Sequence, residues 1–230
     1  MTKISKNIYL ERNLLDQIKK WMDRKEIFAI KGPRQSGKTT LLRMLADYLI
    51  KEKKVNPENV IFITLEDREI LDKFEKDAKA YIQNYLEPRK NQRVYFFIDE
   101  FQYLKQGGQK IKLLYDLFNE QVKFIITGSS SLELTGQTAK YLVGRLFSFY
   151  LWPLSFSEFL KARSDFFHSY QKTHQALYSF ILKGKNFKIP NQDIWQTDLE
   201  KLFEEYARWG GYPEIIKSKN IEIKYAILKN

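Results

Sequence analysis

Cysteine is absent from this 230-residue chain, so neither a disulfide nor a thiolate metal site can form. Histidine is nearly absent. His168 and His174 are the two present, neither has a ligand partner at metal-motif spacing, and each reads as a partly exposed structural residue. No apolar run reaches the ~18 residues that a membrane-spanning helix needs. The opening residues, Met1-Thr2-Lys3-Ile4-Ser5-Lys6, lack the apolar centre of a signal peptide. Together these absences argue against a membrane protein and point to the cytoplasm. Internal repeats and low-complexity tracts are missing too, which excludes solenoids and sticky polymers.

What is present describes a globular protein. A hydrophobic share of 43% with 15% aromatics is far too high for a disordered chain. The length suits one sizeable core with a smaller satellite. Lysine and arginine number 39 against 28 acids, a net charge of +11 that raises nucleic acid as a partner. The excess is scattered, however. Lys51-Glu52-Lys53-Lys54 closes a helix, where cations suit the dipole, and Lys110 and Lys112 lie among apolar residues on a helix surface. With no basic tail, zinc finger or aromatic-interleaved basic stripe, a solvated basic surface is the simpler explanation, and nucleic acid stays open.

The most informative residues are Gly32-Pro33-Arg34-Gln35-Ser36-Gly37-Lys38-Thr39, followed by Thr40. They match the phosphate-loop pattern G-x-x-x-x-G-K-[ST], with the apolar run Ile27-Phe28-Ala29-Ile30 before them and a helical stretch to Ile50 after. Glycines let successive backbone N–H groups curl around a polyphosphate, and the helix N-terminus adds a favourable dipole. Lys38 then reaches the β- and γ-phosphates, and the Thr39 hydroxyl is placed to ligate Mg²⁺. A second half follows at the expected distance. Val94-Tyr95-Phe96-Phe97-Ile98 reads as a strand buried on both faces and ends in Asp99-Glu100. Asp99 is the natural Mg²⁺ carboxylate and Glu100 the natural base for an attacking water.

Around these motifs, strands alternate with helices, which implies a parallel sheet covered on both faces. Helices are expected over 13–24, 39–50, from the end of the second strand to Leu86, over 110–120 and over 198–209. Strands are expected over 27–31, 60–63, 94–99, 122–127 and 145–151. Beyond Trp152-Pro153, aromatic and aliphatic residues recur at helical intervals. Phe156, Phe159 and Leu160, then Phe166, Phe167 and Tyr170, then Leu177, Phe180 and Ile181 read as the core stripe of a small helical element rather than a base-stacking platform.

GPRQSGKTTLL, FIDEFQ, ITGSSSLEL, the Gly144-Arg145 pair, LWPLSFSEF and WGGYPE occur in this order between Arg12 and Glu214. This set resembles a group of prokaryotic AAA-type ATPases, the AAA domain 14 family. The resemblance implies an α/β P-loop fold of the ASCE class with a five-stranded parallel sheet in order 5-1-4-3-2, followed by a small helical lid. It also implies ATP as the nucleotide, with Mg²⁺; an oligomer of like chains is a further candidate partnership that the sequence leaves open. A sensor residue is implied in Thr127-Gly128-Ser129-Ser130, with Ser129 preferred over Thr127 because it lies beyond the strand. Arg145 matches an arginine finger, acting in its own chain or on a neighbour. Gly211-Tyr212-Pro213 resembles a turn that closes over adenine, which brings Tyr212 and Pro213 into the nucleotide site, although a plain helix stop fits the same residues.

The expected organisation is an ATPase core over 1–152 with an N-terminal helix, a lid over 153–212, and the start of a truncated winged-helix or C-terminal element over 213–230. Family members usually continue further, so the chain is either a natural short form or a fragment. The motifs suit an ATPase, a slow nucleotide-gated switch or a DNA-associated ATPase. A small-molecule kinase shares the loop, but adjacent Asp99-Glu100 and the polar sensor turn favour water as acceptor.

Overall fold

Five short apolar runs become the strands of one sheet. The computed structural model describes residues 9–89, 91–129, 142–165, 167–184, 186 and 196–229. β1 (Ile27–Lys31), β2 (Val60–Thr64), β3 (Val94–Asp99), β4 (Val122–Gly128) and β5 (Leu146–Tyr150) lie in the order β2-β3-β4-β1-β5. Every pairing is parallel. This is the order implied by the family resemblance, read from the other edge. The inner strands β3 and β4 are buried at every position, which is why their sequences show no alternation.

Helices cover both faces. Ile27, Ala29, Ile61, Ile63, Phe96, Ile98, Phe124 and Ile126 share a core with Phe74 of α3 (Arg68–Lys76), Ile82 and Leu86 of α4 (Ala78–Leu86), and Ile111 and Leu114 of α5 (Gly107–Phe118). The two-residue period puts Phe28, Ile30, Phe97 and Ile125 on the opposite face. There the chain supplies α1 (Asn13–Lys19) and α2 (Lys38–Lys51), with Leu41, Leu42, Leu45 and Leu49 buried.

Three helix expectations change in the structure. The first helix stops at Lys19, and its continuation tightens into i→i+3 bonds, Trp21 N–H to Ile18 O and Arg24 N–H to Trp21 O. The helix after β2 breaks at Asp77. Its carboxylate accepts the Ala80 N–H at 2.9 Å and so caps a second helix instead of continuing the first. α5 begins at Gly107, three residues early, because a left-handed Gln106 (φ 54) turns the chain into it.

The chain divides into two compact units, Asn13–Trp152 and Pro153–Asn230, the latter together with the stretch up to Arg12. The second unit holds α6 (Phe156–Arg163), α7 (Phe167–Lys183), α8 (Gln196–Trp209), α9 (Pro213–Lys217) and α10 (Ile221–Lys229). A Ser155–Glu158 capping box starts α6, and Glu158 also accepts Arg12 Nε at 3.3 Å in a buried pair. Phe156 meets Phe159, Tyr170, Phe203 and Tyr206, so the first part of the aromatic stripe is core. The side chain of Phe166 lies outside the described residues. Leu177, Phe180 and Ile181 do not join this core, being 40%, 48% and 66% exposed. Tyr170, in the first turns of α7, meets Phe156, whereas Leu177, Tyr178, Ile181 and Leu182 in its last turns are exposed. The terminal stretch forms α10, in which Tyr225 packs on Trp209 and Lys224 reaches Glu205 at 3.0 Å. Among the described residues, no helix is long and apolar enough to cross a membrane.

One core residue is charged by type. Lys123 of β4 has no exposed surface; its Nζ donates to the carbonyls of Arg24, at 2.9 Å, and Glu26, and sits 3.2 Å from the centre of the Phe28 ring. Burial pulls its pKa from 10.5 to about 6, with Arg93 and Arg24 acting the same way and Glu26 and Asp23 opposing. A neutral amine keeps two N–H bonds, enough for both carbonyls. Between pH 6 and about 10 the unfolded chain therefore holds more protons at this residue than the folded one. Its contribution to stability rises with pH through that window and is lowest below it. Denaturant unfolding should show the parent gaining roughly 2 kcal/mol on Lys123→Met between pH 7 and pH 9. A constant gap would mean that Lys123 keeps its proton in the fold.

Candidate functional site

At Gly32 the chain leaves β1 with no room for a side chain. A Cβ there would lie 2.3 Å from the Leu151 carbonyl oxygen, because the segment after β5 is tied to β1 by Leu151 N–H to Lys31 O at 2.7 Å. Pro33 to Ser36 form a turn, with Arg34 and Gln35 exposed and Gln35 left-handed. Gly37 is left-handed too (φ 94, ψ 27) and is the N-cap of α2. The first hydrogen bond within α2 runs from Leu41 N–H to Gly37 O, at 2.9 Å. The amides of Lys38, Thr39 and Thr40 precede it, and Gly37 has no side chain to cap them. The result is an electropositive helix end above a glycine turn, suited to phosphate.

Lys38 is buried and folds back, donating to Gly32 O at 3.2 Å and Pro33 O at 3.0 Å. Burial lowers its pKa, Glu100 and Asp99 push it back up, and Arg34 adds to the lowering. Both acids therefore act on the loop lysine through space.

Asp99, at the end of β3, gathers three segments. Its Oδ2 accepts the Thr39 hydroxyl at 2.6 Å, and its Oδ1 accepts the Thr127 hydroxyl and, at 3.1 Å, the Glu100 N–H. Charge-assisted bonds of this kind hold a nearly buried carboxylate in place. Glu100 itself is left-handed (φ 54, ψ 44), a conformation that costs a non-glycine residue roughly 1 kcal/mol or more. Its carboxylate accepts a hydrogen bond from the Gln102 amide, and Gln102 Oε1 accepts the Ser129 N–H at 3.3 Å.

Phosphate loop, Thr39, Asp99, Glu100, Thr127 and Ser129 are thus brought together at the C-terminal edge of the sheet. The Thr127 hydroxyl is engaged by Asp99 inside the protein, while Ser129 lies past the strand end. Ser130 is outside the described residues. Thr39 and Asp99 present hard oxygens on neighbouring elements. Among the described residues, no cluster of three or more His, Asp or Glu side chains could hold a metal ion. One carboxylate with one hydroxyl fits Mg²⁺, which takes few protein ligands and completes its shell with phosphates and waters.

The sequence also assigns Arg145, Tyr212 and Pro213 to the site. Arg145 lies just before β5, whose first residue, Leu146, pairs with Ile27 at the start of β1. The phosphate loop leaves the other end of β1, about 13 Å along the strand at 3.3 Å per residue. Arg145 Nε instead donates to Asp116 at 2.9 Å, beside Lys112, and these two bonds hold the Asp116 carboxyl below its usual range. Arg145 thus lies at the end of the parallel strands opposite to the one from which the phosphate loop leaves. Tyr212 and Pro213 belong to the second unit, where Tyr212 is the N-cap of α9 and Pro213 its first residue. Sequence inspection missed the Thr127–Asp99 bond and the part played by Gln102. The only signal was FIDEFQ itself, which holds an amide two residues after the second acid.

A parallel sheet in this order, a glycine loop capping the helix after β1 and an acid ending β3 define an α/β fold of the P-loop class. The profile of the AAA domain family AAA_14 matches residues 24–160, more than half of the chain, and the chain belongs to that family. An uncharacterized protein of Haemophilus influenzae is 32% identical over 216 residues, 93% of this chain and 46% of its own length. An uncharacterized protein of Methanocaldococcus jannaschii is 28% identical over 205 residues, 89% of this chain and 39% of its own. The chain thus spans less than half the length of these relatives. Among solved structures, C. elegans PCH-2 aligns with a TM-score of 0.47 at 17% identity, covering 90% of this chain and 60% of its own. Domain III of the Thermotoga maritima replication initiation protein DnaA aligns at 0.47 and 16%, covering 96% and 93%.

The Gly32 contact gives a direct test of the loop. Gly32→Ala forces a methyl against backbone rather than a flexible side chain, an overpacking that costs about 1–3 kcal/mol. Thermal unfolding should show a lower midpoint than the parent. An unchanged midpoint would show that the segment at Leu151 yields freely.

Proposed function

We propose that this chain binds ATP with Mg²⁺ at the Gly32–Thr40 loop and hydrolyses the γ-phosphate with water. The observation that carries this is the meeting of Thr39, Asp99 and Glu100 beside Lys38, from segments about 60 residues apart in sequence. Adenine as the base rests on membership of the AAA domain family. Thr39 and Asp99 hold Mg²⁺, which supplies charge neutralisation to the phosphate oxygens. The amides at the start of α2 and the Lys38 ammonium face the phosphates. Glu100 orients water and takes its proton as the new P–O bond forms and the bond to ADP breaks. Ser129 serves as the polar sensor at the strand end. Residues 153–212 act as a lid, with Tyr212 and Pro213 against adenine, and 213–230 begin a further element. We place the protein in the cytoplasm. No observation favours the switch or the DNA-associated alternative over hydrolysis; a steady-state turnover rate separates the switch, and DNA binding measured across salt concentrations separates the DNA-associated reading.

Three substitutions test the site together. Lys38→Ala should remove tight MgATP binding while the chain stays folded. Glu100→Gln should keep binding and lose most hydrolysis, and Asp99→Asn should weaken the Mg²⁺-dependent part of binding. Unchanged turnover in Glu100→Gln would move the base elsewhere, with Glu66 and Asp67 after β2 next in line.

Because Arg145 lies away from its own loop, it acts on a neighbour's phosphate in an oligomer of this chain. Turnover per molecule should then rise with protein concentration. Arg145→Ala should lose at least tenfold, within the roughly 10³–10⁵ that such arginines contribute. Mixing Arg145→Ala with Lys38→Ala chains should restore activity. A loss under tenfold, as expected of an exposed pair with Asp116, would remove the finger role.

A further inference from the structure

The turn after Glu100 positions an amide more carefully than a loop requires. Phe101 is 2% exposed, and its ring lies where a Cβ on Gly107 would come within 2.8 Å. That contact fixes the short 3-10 turn Phe101–Tyr103 under the start of α5, and the turn brings Gln102 back towards the strand ends. The Gln102 side chain then makes two bonds of opposite sense. Its Nε2 donates to Glu100 Oε2, and its Oε1 accepts the Ser129 N–H at 3.3 Å. Because the backbone of Glu100 is left-handed, the preceding strand does not carry its side chain in strand geometry, and a separate restraint has to set its direction. The carboxylate so held also raises the Lys38 pKa, more strongly than Asp99 does.

We infer that Gln102 is the positioning residue of the hydrolytic site, holding the Glu100 carboxylate toward the phosphate loop and linking it to the end of β4 at Ser129. This rests on the reading of Glu100 as the base. Gln102 touches neither phosphate nor water in this role; it acts through Glu100. Two consequences distinguish it from a residue that merely stabilises the turn. Its effect falls on turnover and not on nucleotide affinity, and it vanishes once Glu100 no longer works as a carboxylate.

Two variants separate the two bonds. Gln102→Leu removes both. Gln102→Glu keeps an oxygen for the Ser129 N–H but replaces the donor to Glu100 with a like charge. Steady-state hydrolysis of MgATP by the full chain should show kcat lowered at least tenfold in both variants. Affinity for a fluorescent ATP analogue should stay within about twofold of the parent. Adding Gln102→Leu to Glu100→Gln should lower the residual rate no further. Parent-like kcat in Gln102→Glu overturns the inference, and so does a double variant slower than Glu100→Gln alone. If Glu100→Gln hydrolyses like the parent, the base assignment fails and this inference with it. If Glu100→Gln is inactive while both Gln102 variants turn over normally, only the inference on Gln102 fails. Should Gln102→Leu fold poorly, the near-isosteric Gln102→Glu decides alone.

Discussion

The Asp99 carboxylate is the constraint on which the site depends. It binds the first turn of α2 through Thr39, the end of β4 through Thr127, and the backbone of the following residue. A nearly buried charge is costly to keep out of water, and hydrogen bonds from each side offset that cost. In return the carboxylate fixes the distance between the phosphate loop, the middle strand and the strand that joins them. β4 lies between β3 and β1 in the sheet, so the Thr127–Asp99 bond also secures the register that carries the loop.

Much of this was legible from residue types because the relevant constraints are local. A glycine-rich turn between an apolar strand and a helix has few other uses, and two acids after a fully apolar run, uninformative alone, gain weight from following such a turn. The strand bounds came out within a residue or two for the same reason, since all-apolar runs flanked by polar breaks leave little choice. The sheet order was different. Parallel strands joined by helices are compatible with several orders, and only the family resemblance selected one.

What escaped inspection depends on contacts distant in sequence. Arg145 follows a glycine near a polar turn, and nothing local reveals that β5 starts level with Ile27 rather than with the loop. Leu177, Phe180 and Ile181 continue a helical stripe, but a stripe states only that one face is apolar, not that something covers it. Asp77 looks like one more charge in a charged helix until its side chain is seen capping the next one. Lys123 lies within the expected fourth strand, and nothing in its neighbours in sequence marks it as buried. Its burial follows from the carbonyls of Arg24 and Glu26, roughly a hundred residues earlier in the chain.

The hold of Lys38 on its own loop has a thermodynamic consequence. Its ammonium already satisfies the carbonyls of Gly32 and Pro33, so any anion that recruits it must replace those two bonds rather than find a free charge. The net gain is a difference between two sets of contacts. A small anion offering a single contact recovers little of it. A chain of phosphates that also engages the amides of α2 and would reach Thr39 and Asp99 through a shared Mg²⁺ spreads the exchange over many bonds at once. The lysine thereby acts less as a reservoir of affinity than as a threshold, setting how many simultaneous contacts a ligand must make before the loop opens to it.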